Sequence, residues 1–351
     1  MTNPINKKYE KLHFNEQDRV VNYINKQYDS IIAQITPLIE SGAARSLVQR
    51  KLNILLKQFR ANVTLKIESG VKYSWNLSNQ KNIAYLEQRL AGFNIPDRIK
   101  KALFSPNHNR LEAFIQRKEG GLNLSDRVWK TAEQFKNNVD LNLDIGIAEG
   151  KAAKQIGREL RQNLNEPERL FRRVRDLKGN LRLSKPAKAY NPGQGVYRSA
   201  ARNTERLGRT EINMGYRAAD DAAWENNPLV LGYEIRLSAT AKPKTRCELC
   251  RTLEGKYPSW FKFRGWHPNC LCFKIPILMA DEMMAKYQKL VAKGEDTDDA
   301  IFELQKGTRI AFPPEAFNLW VNNNRDRVME WKDKPYWWKD NSHFISNMLL
   351  I

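Results

Sequence analysis

All four cysteines of this 351-residue chain fall between positions 247 and 272. They are spaced Cys247-x-x-Cys250 and then, after 16 residues, His267-x-x-Cys270-x-Cys272. This cluster constrains the fold more than any other feature, because it asks five metal-type donors to return to one place. Two thiolates on a tight turn, met by a His and Cys pair on a returning loop, can form a tetrahedral zinc site. Five donors compete for four positions: Cys247, Cys250 and Cys270 take three, and either His267 or Cys272 takes the fourth. A closed four-ligand site has no open position for water, so its role would be structural, and the metal would supply folding energy. The alternative is a set of metal-free structural thiols or two disulfides. Four cysteines in a chain of this length do not make the disulfide framework of a small secreted domain. A redox Cys-x-x-Cys would need a βαβ setting that is absent here.

The runs flanking the cluster alternate in polarity. Leu231, Tyr233, Ile235 and Leu237 alternate with Gly232, Glu234 and Arg236, and Leu271, Phe273, Ile275 and Ile277 repeat the pattern. Two half-buried strands are therefore expected, paired antiparallel, with the cysteine segment inserted between them. Within the insertion, Tyr257, Trp260, Phe261, Phe263 and Trp266 read as a small core of their own. Their alternative is a base-stacking surface beside Lys256, Lys262 and Arg264.

Elsewhere the period is helical. A first helix carries Val21, Ile24, Tyr28, Ile31, Ile32 and Ile35 up to Pro37. A second runs from Arg45 to about Lys66, Gly70 interrupts, and another runs from Ser78 to before Gly92. Ser125 is the expected N-cap of a helix through Val139, and a further helix is expected from Gly146 to Leu164. A long helix is expected from near Tyr197 to Asn227 and Pro228. After 281, Asp296 or Thr297 caps a short helix, and Pro313 and Pro314 open one carrying Phe317, Trp320, Val321, Val328 and Trp331. The aromatic end, Tyr336, Trp337, Trp338 and Phe344, either docks back on the body or anchors a partner. The expected class is mainly α with a small α+β element. A helical region spans 1–145, the cysteine-bearing domain 146–280 with a basic arm at 165–196, and a helical tail 281–351.

The net charge is +20. Between Lys151 and Thr210 there are 16 Lys and Arg against five Asp and Glu, so more than half of the excess lies there. The arm holds Arg172, Arg173, Arg175 and Arg182. The helix after it sets Arg198, Arg202, Arg206, Arg209 and Arg217 near one side, since residues four apart are helix neighbours. Guanidinium forks suit phosphate or carboxylate, so this row faces DNA or an acidic partner, or pairs internally with Glu205 and Glu211. The N-terminus has no apolar signal region and no stretch has the roughly 18 apolar residues of a membrane span, so the expected compartment is a reducing cytoplasm.

One constellation resembles a known family. Arg209-Thr210-Glu211, then a strand, then Cys247-x-x-Cys250-x-x-Leu253-Glu254-Gly255-Lys256, then His267-Pro268-Asn269-Cys270-x-Cys272 is similar to the phage minor head proteins, the family of the phage Mu F protein and the head morphogenesis protein of phage SPP1. The likeness covers about residues 146–278 and is specific in order and spacing. The family often has an Asp a few residues before the first Cys, where this chain has Lys242-Pro243-Lys244-Thr245-Arg246. The resemblance implies a low-copy structural protein inside the head of a tailed bacteriophage. It implies association with the portal protein, with major capsid or scaffolding protein, and with double-stranded genomic DNA. Assembly would take place in the host cytoplasm.

Two other classes draw on the same residues. An HNH-type nuclease needs a second His or Asn near an acid-flanked His, but Trp266 precedes His267 and no other His lies within 70 positions. A zinc-containing nucleic-acid binder explains the charge and the cysteines but not the Arg-Thr-Glu helix. No phosphate-binding loop or dinucleotide fingerprint is present, and no enzyme is expected.

Overall fold

The computed structural model describes residues 3–94, 96–97, 100–101, 105–165, 174–175, 179, 181–182, 199–238, 247–331 and 333–348. The chain is mainly helical with a small three-stranded antiparallel sheet, and it divides into two compact units. One comprises Met1–Glu16, Gly70–Ile115 and Thr210–Ile351; the other comprises Gln17–Ser69 and Gln116–Arg209. The expected split at 145 and 280 differs from this division, because long helices contribute to both units.

Helices α1 (Pro4–Glu40) and α2 (Arg45–Leu90) are each continuous. Pro37 lies inside α1, and Gly70 does not interrupt α2. A mid-helix glycine costs about 1 kcal/mol, and burial of Ile67, Val71 and Trp75 around it outweighs that cost. Ser78, expected at a helix start, is an interior residue of α2. In the second unit, Tyr28 packs on Phe59 and Phe135 and shares a 2.7 Å hydrogen bond with Thr204. Beyond α3 (His108–Gln116), α4 (Leu124–Ala148) is capped by Asn123, which accepts from the Asp126 amide. Ser125 instead accepts from Arg60 Nε at 2.8 Å. The helix expected from Gly146 begins only at Ala153 (α5, Ala153–Asn165), because Gly150 is in the left-handed region. Two short strands, β1 (Val174–Arg175) and β2 (Leu181–Arg182), pair antiparallel.

The first unit is organised around the part of α6 (Ala200–Trp224) from Thr210 onward and the sheet. Strand β3 (Val230–Leu237) is central, with β4 (Gly255–Tyr257) on one side and β5 (Cys272–Leu278) on the other. The two expected strands pair antiparallel as anticipated, from Leu237 opposite Cys272 to Val230 opposite Leu278. The phase of β5 is the reverse of the expected one. Cys272, Lys274 and Pro276 are its buried residues, while Leu271, Phe273, Ile275 and Ile277 are half-buried. The cause is chemical: Lys274 turns inward to donate to Asp221 and to the Arg217 carbonyl, at 2.6 and 2.9 Å. Gly232 lies at a bulge with φ of 153°, and a Cβ there would come 2.7 Å from the Tyr257 carbonyl.

The remaining helices are α7 (Glu248–Thr252), α8 (Asp281–Lys293), α9 (Asp298–Gln305), α10 (Glu315–Glu330), α11 (Tyr336–Asp340) and α12 (Ser342–Met348). Thr297 caps α9 and Pro314 opens α10. Trp331 lies just past the end of α10. The insertion's aromatics form a packed core, as expected. Tyr257, Phe261, Phe263 and Trp266 are buried together with Phe317 and Trp337. The tail docks on them: Trp337 Nε1 donates to the Trp266 carbonyl, and Arg264 forks onto Asp340 at 2.7 Å. No helix among the described residues is long and apolar enough to cross a membrane.

Candidate metal centre and its buried supports

The five donors converge. Cys247 caps α7 and accepts from the Cys250 amide, which puts both thiols on one turn. His267 Nε2 lies 3.2 Å from the sulfur of Cys247 and 3.2 Å from that of Cys250. Cys250 and Cys270 sulfurs are 3.9 Å apart. The side chains form two overlapping groups able to hold a metal ion: Cys247, Cys250 and His267, and Cys250, Cys270 and Cys272. All four cysteines are free thiols, so the disulfide alternative is not realised. His267 Nδ1 donates to the Pro268 carbonyl at 2.8 Å, which leaves Nε2 as the bare nitrogen, able to ligate a metal.

Helix α6 holds this loop from beneath. Thr210 Oγ1 accepts from the Asn269 amide at 3.3 Å. Asn213 Nδ2 donates to the Cys270 carbonyl at 3.4 Å. Arg217 sends its guanidinium to the carbonyls of Cys270, Cys272 and Arg264. Burial alone would raise the Cys270 thiol, but hydrogen bonds from Cys250 and Cys272 and the nearby Arg217 charge hold it well below its ordinary value. Gly265 is at φ of 122°, and a Cβ there would sit 2.6 Å from Arg217 Nη1. Gly265→Ala is therefore expected to lower stability by about 1–3 kcal/mol, through backbone strain and a displaced guanidinium. Urea unfolding of the variant checks this, and an unchanged midpoint would contradict it.

The basic row is only partly a surface. Arg202 is exposed and Arg206 half-buried, while Arg209 pairs with Asp18 at 2.8 Å and not with Glu211, which is buried. Arg217 is buried and turned inward. The reason is that α6 is enclosed almost all round from Glu211 to Asp221, so the helical row leaves solvent halfway along. Arg175 and Arg182 lie on β1 and β2. Arg172, Arg173 and Arg198 lie outside the described residues. Lys256 is exposed on β4 opposite Glu234, and Gly255, at φ of 151°, packs against Pro314.

Sequence reasoning missed the buried polar groups behind the centre. Lys81 pairs with Asp220 and Lys274 with Asp221, all four side chains being less than a tenth exposed. Burial pulls both ammonium groups down and pushes Asp221 up, each opposed by its partner's charge. His13 lies between Ser74 Oγ at 3.1 Å and Asn213 Oδ1 at 2.8 Å. Asn213 Oδ1 can only accept, so His13 Nε2 carries the proton and Nδ1 accepts from Ser74. The Ser–His–Asn order is that of a hydrolase triad, but Ser74 is fully buried and the adjoining cavity is only about 20 Å³. That space suits about one water. The set instead relays hydrogen bonds from α2 through α1 to the Cys270 carbonyl. Only the adjacent acids Asp220 and Asp221, set among alanines on α6, offered any signal in the sequence.

Burial holds the His13 imidazole at about 3, against an ordinary 6.5, with the Asn213 hydrogen bond resisting. Between those values the unfolded chain takes up a proton that the folded chain refuses. Stability present above pH 6.5 is thus lost as the pH falls, by about 3 kcal/mol at pH 4. The gap in unfolding free energy between the wild type and His13→Gln should narrow by that amount from pH 7 to pH 4. Parallel curves would contradict the assignment.

Comparison with protein-family models, curated proteins and solved structures found no match to this chain.

Proposed function

We propose that this chain is a structural minor head protein of a tailed bacteriophage, present in low copy inside the head. It would join the portal during assembly, lie against major capsid or scaffolding protein, and meet packaged double-stranded DNA. The cysteine module holds one zinc as a structural cross-link. The observation that carries this reading is the meeting of the separated motif pieces. Thr210 of the Arg-Thr-Glu stretch binds the Asn269 amide of the His-Pro-Asn-Cys loop, 59 residues away, beside the Cys-x-x-Cys turn that faces His267. Those pieces define the resemblance by order, and here they form one built unit.

Charge supports the same reading. A chain of net +20 is drawn to polyanions, and phosphate contacts of this kind bind DNA without reading sequence. Zinc fits the donor set, since thiolates with one imidazole suit it and leave no vacant catalytic position. The test is a pull-down from phage-infected cells with this chain as bait. Portal protein should be recovered, and its absence from a bait that recovers other virion proteins would refute the assignment. Cleavage of plasmid DNA with Mg²⁺ or Zn²⁺, abolished by His267→Ala, would favour the nuclease instead.

A further inference from the structure

Arg217 is buried, at 4% exposure, and none of its hydrogen bonds goes to a carboxylate. Among the described residues it forms no ion pair. The two acids that follow it on α6 are already taken: Asp220 by Lys81 and Asp221 by Lys274. Carbonyl oxygens satisfy its N–H groups but do not cancel its charge. A buried charge without a counter-charge is strongly unfavourable. What lies against this guanidinium is the backbone of Cys270 and Cys272, at 2.6 Å each.

We propose that the centre holds one zinc through Cys247, Cys250, His267 and Cys270, with net charge −1, and that Arg217 is its buried counter-ion while Cys272 remains a thiol outside the coordination shell. This rests on the zinc reading above. The charge balance selects the ligand set. Zinc with three thiolates and a neutral imidazole is one unit negative, and Arg217 neutralises it. Replacing His267 by Cys272 gives four thiolates and net −2, with one charge left uncompensated, since Lys274 is committed to Asp221.

The sulfurs of Cys270 and Cys272 both lie within 4.8 Å of that of Cys250, and the anchoring of the backbone selects between them. Zinc–sulfur bonds of about 2.3 Å put tetrahedral sulfurs about 3.8 Å apart, and Cys250 and Cys270 are at 3.9 Å. The Cys270 carbonyl also receives both Arg217 and Asn213, which fixes that residue's orientation. Cys272 already belongs to β5, where it pairs with Leu237. Arg217 is thus a positioning residue, and it makes metal occupancy and docking of the loop on α6 mutually dependent. The metal-free centre leaves a cation buried; the loaded one neutralises it.

The experiment uses the full chain with zinc, competed against a chromophoric chelator, and repeats the series with cobalt(II), whose thiolate charge-transfer intensity counts the sulfurs bound. Arg217→Met should weaken zinc binding about 10- to 100-fold, the usual range for a residue that supports metal ligands. Arg217→Lys, which keeps the charge but loses the fork, should fall between the two. Cys270→Ser should lose one thiolate from the cobalt spectrum, and Cys272→Ser should lose none. Thermal unfolding separates this role from simple packing, because Arg217→Met should lower the midpoint more with zinc bound than without it. Wild-type zinc affinity in Arg217→Met, equal thermal losses in both states, or a thiolate lost in Cys272→Ser would overturn the inference while leaving a zinc site. A wild-type chain that binds no zinc would instead remove the metal reading itself, and this inference with it.

Discussion

Cys250→Ser is expected to abolish metal binding and to make the chain's thermal stability insensitive to chelator. Cys250 is the donor that both groups share. It is buried at the base of the α7 turn, and no four-ligand set in this cluster with His267 and three thiolates avoids it except by recruiting both Cys270 and Cys272. That alternative abandons the Cys250–His267 approach at 3.2 Å. The size of the effect follows from linkage. A ligand that binds only the folded chain stabilises it by about 4 kcal/mol when its free concentration exceeds Kd a thousandfold. The centre is not alone in holding its loop, because Tyr257, Phe261, Phe263, Trp266 and Trp337 form a buried core beside it. The variant should therefore keep its helical content and lose the zinc-dependent part of its stability. Calorimetry of wild type and variant, each with zinc and with chelator, checks this. A variant that still responds to zinc would contradict the shared-donor assignment.

Lys274→Met should be the most destabilising single change outside the cysteines, by about 3–5 kcal/mol, because it leaves Asp221 buried without its partner. Lys274 is fully buried and lies 2.6 Å from Asp221. Burial depresses the ammonium and raises the carboxyl, so the pair stands on mutual attraction against a desolvation cost. Such a pair is expensive to break and cheap to replace. Changing both residues, as Lys274→Met with Asp221→Leu, should recover most of the single-variant loss, since apolar replacements of buried ion pairs are often neutral or better. Urea unfolding across the double-mutant cycle measures the coupling. Losses that simply add would show that the two side chains act independently.

How far the sequence revealed this depends on the range of the interaction. Local periodicity identified β3 and β5 and their antiparallel pairing, because one face of each is more buried than the other. It misjudged which face of β5 is inward, since Lys274 reads as a solvent residue until Asp221, 53 positions away, is known to meet it. It placed the cysteine cluster, where the donors are close in sequence and chemically distinctive. It did not place His13, whose partners Ser74 and Asn213 lie 61 and 200 positions away. Helical spacing places the Arg row on one side of α6, and the structure divides that row into the more accessible Arg202 and Arg206 and the buried Arg217. Spacing gives the side of the helix on which Arg217 sits but not what packs against that side. Gly70 fails to break α2 for a related reason: propensity is a local cost, and the burial of Ile67, Val71 and Trp75 exceeds it.

On the proposed reading, a bound metal closes the cysteine module onto the Arg-Thr-Glu helix. Elemental analysis of the chain, purified under reducing conditions and without chelator, tests it most directly. One zinc per chain, lost together with stability on chelation, is the result expected. A folded, helical chain containing no zinc and gaining no stability when zinc is added would contradict it.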